Sequence, residues 1–154
     1  MEILFWGAAQ STTGSLHIAR VGDRQFALDC GLFQGRRAEY YQKNSDFPLP
    51  PGDLSGIILS HGHIDHIGNL PTAGRMGFSG PVWCTAATAD LSRALLYDSA
   101  HIQELDVSFV NKRRARRGEP PVAPLYTATD VDEILQRFIG VGYYRPVSLW
   151  PGVT

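Results

Sequence analysis

HGHIDH, residues 61–66, directly follows the apolar run GIILS of residues 56–60. Three of the chain's five histidines and one aspartate thus fall within six positions. Imidazole nitrogen and carboxylate oxygen are donors that divalent zinc prefers, and four of them in one short loop require the backbone to change direction there. Gly62 supplies that freedom. Alternate residues of an extended chain share a side, so His61 and His63 can converge on one metal. Asp65 and His66, where the chain turns into the next element, face a neighbouring position. The spacing suits two metals rather than one. An unbroken apolar run reads as a strand buried on both faces, and loops at the carboxyl ends of parallel strands are where α/β ligand sites lie.

Working outward, the first third reads as a β-meander: ILFW, SLHIARV and RQFALD, with Gly22 and Asp23 as a two-residue turn. GLFQGRRAEYYQKNSDFPLPPGD, residues 31–53, is polar, aromatic and Pro-rich, and reads as an irregular surface connection. After the histidine cluster, IGNLPTAGRMG suits a short helix and PVWCT a buried strand, which together with GIILS make a parallel βαβ unit. A long helix is expected from about Ala86 to the basic run near Arg116. Its core stripe would be Leu91, Leu95, Ile102, Leu105 and Phe109. Gly118 and the prolines of EPPVAP end it, and TATDVDEILQRF starts another helix, with Thr129 and Asp132 spaced as a capping box. PVSLW reads as a strand and Pro151–Gly152 as a turn; with only two residues following, the pattern suggests a chain cut inside a hairpin. The fold class is α/β.

At 154 residues and 44% hydrophobic content, one domain or a large piece of one is expected. A net charge of −1 excludes a wholly basic nucleic-acid coat and a polyacidic tail, so affinity for a polyanion would need a local patch. MEILFWG lacks the basic start and length of a signal peptide, and no stretch approaches the roughly 20 apolar residues of a membrane span, so a cytoplasmic protein without membrane partners is expected. Cys30 and Cys84 form no CxxC pair and read as small buried thiols rather than ligands.

HGHIDH resembles the HxHxDH signature of the metallo-β-lactamase superfamily, whose αββα sandwich carries a one- or two-zinc hydrolytic site. WGAAQSTTGS followed by HIARV, FALDCGLFQG, ILSHGHIDHIGNLP and LLYDSAHIQE resemble its β-CASP branch, the RNA-processing nucleases related to the polyadenylation endonuclease. The resemblance runs over essentially the whole chain. It implies His61 and His63 as ligands of a first zinc, Asp65 and His66 as ligands of a second, and Asp29 as the aspartate that orients the metal loop. It further implies phosphodiester hydrolysis by a hydroxide held between the two ions.

The chain departs from the family pattern at Thr12, where a valine is usual, and by lacking the later GH and GD ligand segments, a further histidine and the β-CASP insert. Residues 1–154 are therefore expected to be the N-terminal half of one metallo-β-lactamase αββα sandwich, with the rest of that domain absent. Alone, the chain should bind metal weakly and catalyse little or nothing. His101, on a helix, matches no ligand motif and reads as helix-packing or cleft-lining; His17 reads as structural. KRRARR, residues 112–117, places five of the fourteen Lys and Arg at a helix end. Lys112, Arg113, Arg114, Arg116 and Arg117 would either complement the helix dipole or contact RNA phosphates. The leading reading is a zinc-dependent ribonuclease in the parent protein. Alternatives are a thiolester or lactone hydrolase of the same superfamily and a non-catalytic scaffold subunit. Homo-oligomerisation stays open.

Overall fold

The computed structural model describes residues 1–154, with every side chain except those of Arg37 and Ala38. Six strands form one sheet in sequence order: β1 (Glu2–Gly7), β2 (Leu16–Val21), β3 (Arg24–Leu28), β4 (Gly56–Ile58), β5 (Val82–Thr85) and β6 (Phe138–Val141). The meander β1–β2–β3 is antiparallel, and β3 through β6 run parallel. Gly22 turns β2 into β3 with a φ of 61°, which it adopts at no steric cost. Connecting the parallel strands are α1 (Arg37–Ser45), α2 (Ile64–Ile67), α3 (Leu70–Arg75), α4 (Ala86–Ala115) and α5 (Ala128–Leu135).

Register assigns each strand residue to a face. Ile18, Ala27, Ile57 and Val82 lie side by side across the sheet and join Ile67, Leu70, Leu96, Val131 and Ile134 of the helices in one buried core. The other face carries Phe5, His17, Leu28, Ile58, Trp83 and Ile139 in one transverse row. Trp83 on this face is buried, but Phe5 and Ile139 stay 65% and 46% exposed. Both faces are apolar, as a sheet built to be covered twice requires.

Four expectations are corrected. Residues 31–53 are not irregular throughout: they hold α1 and a single 3₁₀ turn, Pro51–Asp53. Tertiary contacts override weak local propensity here. Asn44, 1% exposed, accepts from Phe33 N–H at 2.7 Å and donates to the carbonyls of Phe33 and Tyr40, while Tyr40 and Tyr41 pack on the core.

The helix expected from Ala86 is present as α4, but its buried side is Thr88, Ser92, Leu96, Ala100, Gln103 and Val107. Leu91, Ile102, Leu105 and Phe109 are 46–59% exposed, and only Leu95 of the expected stripe is packed against the core. Periodicity weighs only apolar residues, whereas this helix uses polar ones to pin the returning chain. Gln103 accepts from Leu125 N–H at 3.1 Å, Ser99 accepts from Tyr126 hydroxyl at 2.7 Å, and Asn111 makes both amide bonds to Val122. His101 consequently points away from the packed side and is exposed.

The capping box of α5 lies two residues earlier than expected. Thr127 is the cap, and Asp130 accepts from its N–H at 2.7 Å and from its hydroxyl at 2.8 Å. Asp132 instead accepts from the Tyr97 hydroxyl. Finally, PVSLW is not a strand: the Pro151–Gly152 turn closes a single bridge between Trp150 and Val153, and the sixth strand is FIGV, paired with β5. A four-residue edge strand with Gly140 inside has little local signal, so its existence depends on the partner beside it.

Candidate metal centre

Strands β3, β4 and β5 end at the same edge of the sheet, so Asp29, the histidine loop and the start of α4 come together there. After β4 the chain runs through Leu59 and Ser60 into His61 and turns helical at Ile64, with His63 as N-cap. A one-turn helix cannot stabilise itself. The carbonyls of Ile64, Asp65 and His66 are instead taken up by the N–H groups of Leu32 (3.1 Å), Ser15 (2.8 Å) and Cys30 (2.8 Å). Two glycines permit the contacts. A Cβ on Gly31 would lie 1.6 Å from the Asp65 carbonyl oxygen, and one on Gly62 would lie 2.9 Å from Leu91 of α4.

Behind the loop stands Asp29, 7% exposed and with a φ of 61°, a left-handed conformation that aspartate tolerates better than most residues. Its Oδ1 accepts from Ser60 N–H at 2.8 Å; Oδ2 accepts from Ser15 Oγ at 3.2 Å and from His66 Nδ1 at 2.8 Å. Ser60 Oγ lies 2.8 and 2.9 Å from the two carboxylate oxygens and 2.9 Å from His61 Nδ1. A carboxylate only accepts, and a hydroxyl has one proton. Ser60 therefore donates to Asp29 and accepts from His61 Nδ1–H, while His66 Nδ1–H donates directly. Both rings are held in the tautomer whose Nε2 carries a free lone pair, as in the carboxylate-to-histidine supports of metal sites.

Those nitrogens meet the other two donors of the motif. His61 Nε2 stands 3.0 Å from His63 Nδ1, and His66 Nε2 stands 3.6 Å from Asp65 Oδ2. The His61 ring centroid lies 4.6 Å from that of His63 and 4.0 Å from that of His66. Donors bound tetrahedrally to zinc at about 2.0–2.1 Å are about 3.3 Å apart, so the two separations straddle a bound pair's spacing and the donor chemistry fits zinc. Among the described residues no group of three or more His, Cys, Asp or Glu side chains gathers as a metal cage. The loop presents two pairs.

All four motif residues and Asp29 are brought together, but the basic run is not. Leu91 packs on Gly62, and Arg113 follows 22 residues later on the same helix, about 33 Å along its axis. Arg114 is tied to Glu119 at 3.1 Å and to the Pro120 carbonyl, whereas Lys112, Arg113, Arg116 and Arg117 are exposed. Cys30 and Cys84 are buried, free thiols. Burial pushes Cys84 up to about 11, and burial together with the Asp29 charge pushes Cys30 further. Sequence reasoning missed Ser60 and Ser15. The signal for Ser60 was present, since a hydroxyl immediately before HxH lies within reach of the first ring.

The model of the metallo-beta-lactamase superfamily matches residues 22–143. A ribonuclease of Thermus thermophilus is 38% identical over 148 residues, covering 96% of this chain and 28% of that protein. Cleavage and polyadenylation specificity factor subunit 3-II of Arabidopsis thaliana is 27% identical over 154 residues, covering 97% of this chain and 23% of that protein. Among solved structures, the metallo-beta-lactamase fold protein YhfI of Bacillus subtilis aligns over 97% of this chain and 48% of its own, with 18% identity and a TM-score of 0.46. The chain thus spans about a quarter of the length of these two curated relatives.

Proposed function

The chain belongs to the metallo-beta-lactamase superfamily, with relatives in its β-CASP RNA-processing branch, and from that premise we propose that its histidine loop holds part of a two-zinc centre for hydrolysing RNA phosphodiesters. His61 and His63 would hold one ion; Asp65 and His66 would hold the other. When bound, zinc supplies Lewis acidity and a water made nucleophilic near neutral pH. The residues of this chain do the rest. Asp29 keeps the His66 Nδ1 proton in place and, through Ser60, the His61 Nδ1 proton, so both Nε2 lone pairs stay directed into the loop. The backbone bonds from Ser15, Cys30 and Leu32 fix the loop before any metal arrives.

The observation that carries the reading is the pair of donor pairs, each with one histidine whose remote nitrogen is already held. RNA as substrate is supported by the ribonuclease name of the Thermus thermophilus relative. The open apolar sheet face, with Phe5 and Ile139 exposed, supports residues 1–154 as the first half of a sandwich whose second sheet would cover it. The test is cleavage of single-stranded RNA by the full reading frame, with and without the double change His61→Ala and His63→Ala. Loss of cleavage by at least about a thousandfold is expected; cleavage that survives overturns the metal mechanism. Faster turnover of a thiolester or lactone than of RNA would overturn the substrate class alone.

A further inference from the structure

The end of α4, residues 112–117, carries more positive charge than the fold uses. The helix stops in a glycine cap: Gly118 has a φ of 69°, its N–H donates to the Ala115 carbonyl at 3.2 Å, and Glu119 N–H donates to the Arg114 carbonyl at 3.1 Å. Among the described residues, no side chain of the basic run bonds a helix carbonyl; Arg114 reaches past the helix to the Pro120 carbonyl and to Glu119. A helix dipole gains from a cation in its last turn, but further cations three or four residues apart repel one another. Lys112–Arg116, Arg113–Arg116, Arg113–Arg117 and Arg114–Arg117 are four such pairs. No acid lies between Val107 and Gly118, and among the described residues Lys112, Arg116 and Arg117 form no ion pair.

Three of these side chains also wall a cleft. Arg113, Arg114 and Arg117 line about 180 Å³ together with Val110 and Glu119. At about 30 Å³ per water that is room for about six, enough for one phosphate group. Glu119 matches Arg114 at 3.1 Å, so Arg113 and Arg117, one turn apart, keep their charge for an anion. Phe109 lies under the Arg113 guanidinium, 6.0 Å from its carbon, and is itself more than half exposed, which offers a base a ring to stack on.

An anionic membrane and a nucleic-acid strand both present such phosphates, and the rest of α4 separates them. A helix lying on a membrane carries cations along the flanks of its apolar row. The apolar row of α4 is flanked by exposed Asp90, Asp98, Glu104 and Asp106 and by one cation, Arg93. A lipid surface laid along this helix would meet repulsion everywhere but at its end. A strand that touches only the end meets none. We propose that Arg113 and Arg117, with Lys112 and Arg116 beside them, hold phosphates of the same RNA strand whose reacting bond lies at the histidine loop, about 33 Å away along α4. This rests on the RNA reading and adds a second contact to it. The separation sets a length: a stacked strand advances about 3.4 Å per phosphate, so about ten nucleotides span it, whereas a tetranucleotide covers about 14 Å.

Binding is measured by fluorescence anisotropy of a labelled 20-nucleotide single-stranded RNA with the full reading frame in EDTA. Each phosphate contact on a single strand contributes about 0.7 to the slope of log affinity against log salt. The double change Arg113→Gln and Arg117→Gln should therefore lower that slope by about 1.4 and weaken binding up to about 25-fold near 0.1 M salt, with unchanged circular dichroism. Arg20→Gln with Arg24→Gln removes the same charge at the other end of β3 and should leave affinity unchanged. With metal restored, KM of the unaltered protein should fall as the RNA lengthens past about ten nucleotides, and this fall should be absent in the Arg113 and Arg117 variant. Wild-type affinity in that variant, or an equal loss in the Arg20 and Arg24 control, overturns the proposal while RNA cleavage leaves the functional reading standing. RNA that is neither bound nor cleaved overturns both. Sedimentation with phosphatidylserine vesicles that depends on Arg113 and Arg117, without RNA binding, identifies a membrane instead and overturns it as well.

Discussion

Asp29 Oδ2 lies 2.8 Å from His66 Nδ1, yet the same carboxylate reaches His61 only through the hydroxyl of Ser60. One buried acid thus sets the tautomer of one ring in each donor pair. Asp29→Asn keeps a residue that tolerates a φ of 61° but loses a charge and an acceptor oxygen. Zinc affinity of the chain, measured by titration calorimetry, should fall about 10- to 100-fold. Ser60→Ala should cause a smaller loss, since His66 keeps its direct partner; equal losses would contradict the relay.

Gly31 is the position where the chain after β3 touches the histidine loop. With the Asp65 carbonyl oxygen 1.6 Å from any Cβ, Gly31→Ala must push two backbones apart and break the bonds that hold α2. Urea unfolding should show a loss of about 3 kcal/mol or more, and zinc binding should weaken with it.

At α5 the two candidate caps can be told apart. Thr127→Ala removes the hydroxyl of a formed capping box and should cost about 1 kcal/mol. Thr129→Ala, inside the helix, should change stability by less than about 0.5 kcal/mol. Thermal unfolding of the two variants decides between them.

Both thiols are held protonated by burial, Cys84 up to about 11 and Cys30 beyond it. The native chain should therefore resist iodoacetamide at pH 8 and become reactive in denaturant. The sign of the linkage follows. An unfolded chain releases these protons near pH 9 while the folded chain keeps them, so this stabilising contribution is complete below pH 9 and is lost as pH rises through about 11. Tyr126, pushed up to about 12 mainly by burial, adds to the loss in the same direction. Denaturant midpoints should hold from pH 8 to about 9 and then decline towards pH 11.

Much of the site was legible because its donors are consecutive. Four side chains of metal-ligand type within six residues need no long-range folding to be neighbours, and LDCG lies at a strand end that parallel pairing brings beside GIILS. Ser60 was less legible, since its role exists only once Asp29 and His61 meet around it. The apolar stripe of α4, most of it exposed, was misread for a related reason. Both its sides carry residues a core accepts, and the side that packs is selected by hydrogen bonds from Gln103 and Asn111 to chain that returns about ten to twenty residues later.

By itself, the sequence determined the α/β class, the meander, the parallel strands around the loop and the close grouping of His61, His63, Asp65 and His66, all through patterns local to a few residues. Tertiary structure alone decided which face of α4 is covered, that α1 and β6 exist, that Asp29 supports two rings at once, and that the basic run lies about 33 Å from the loop along α4. Periodicity records how residues repeat along one element; which side is buried, and how far apart two motifs end up, depends on the free energy of packing against elements far away in the chain.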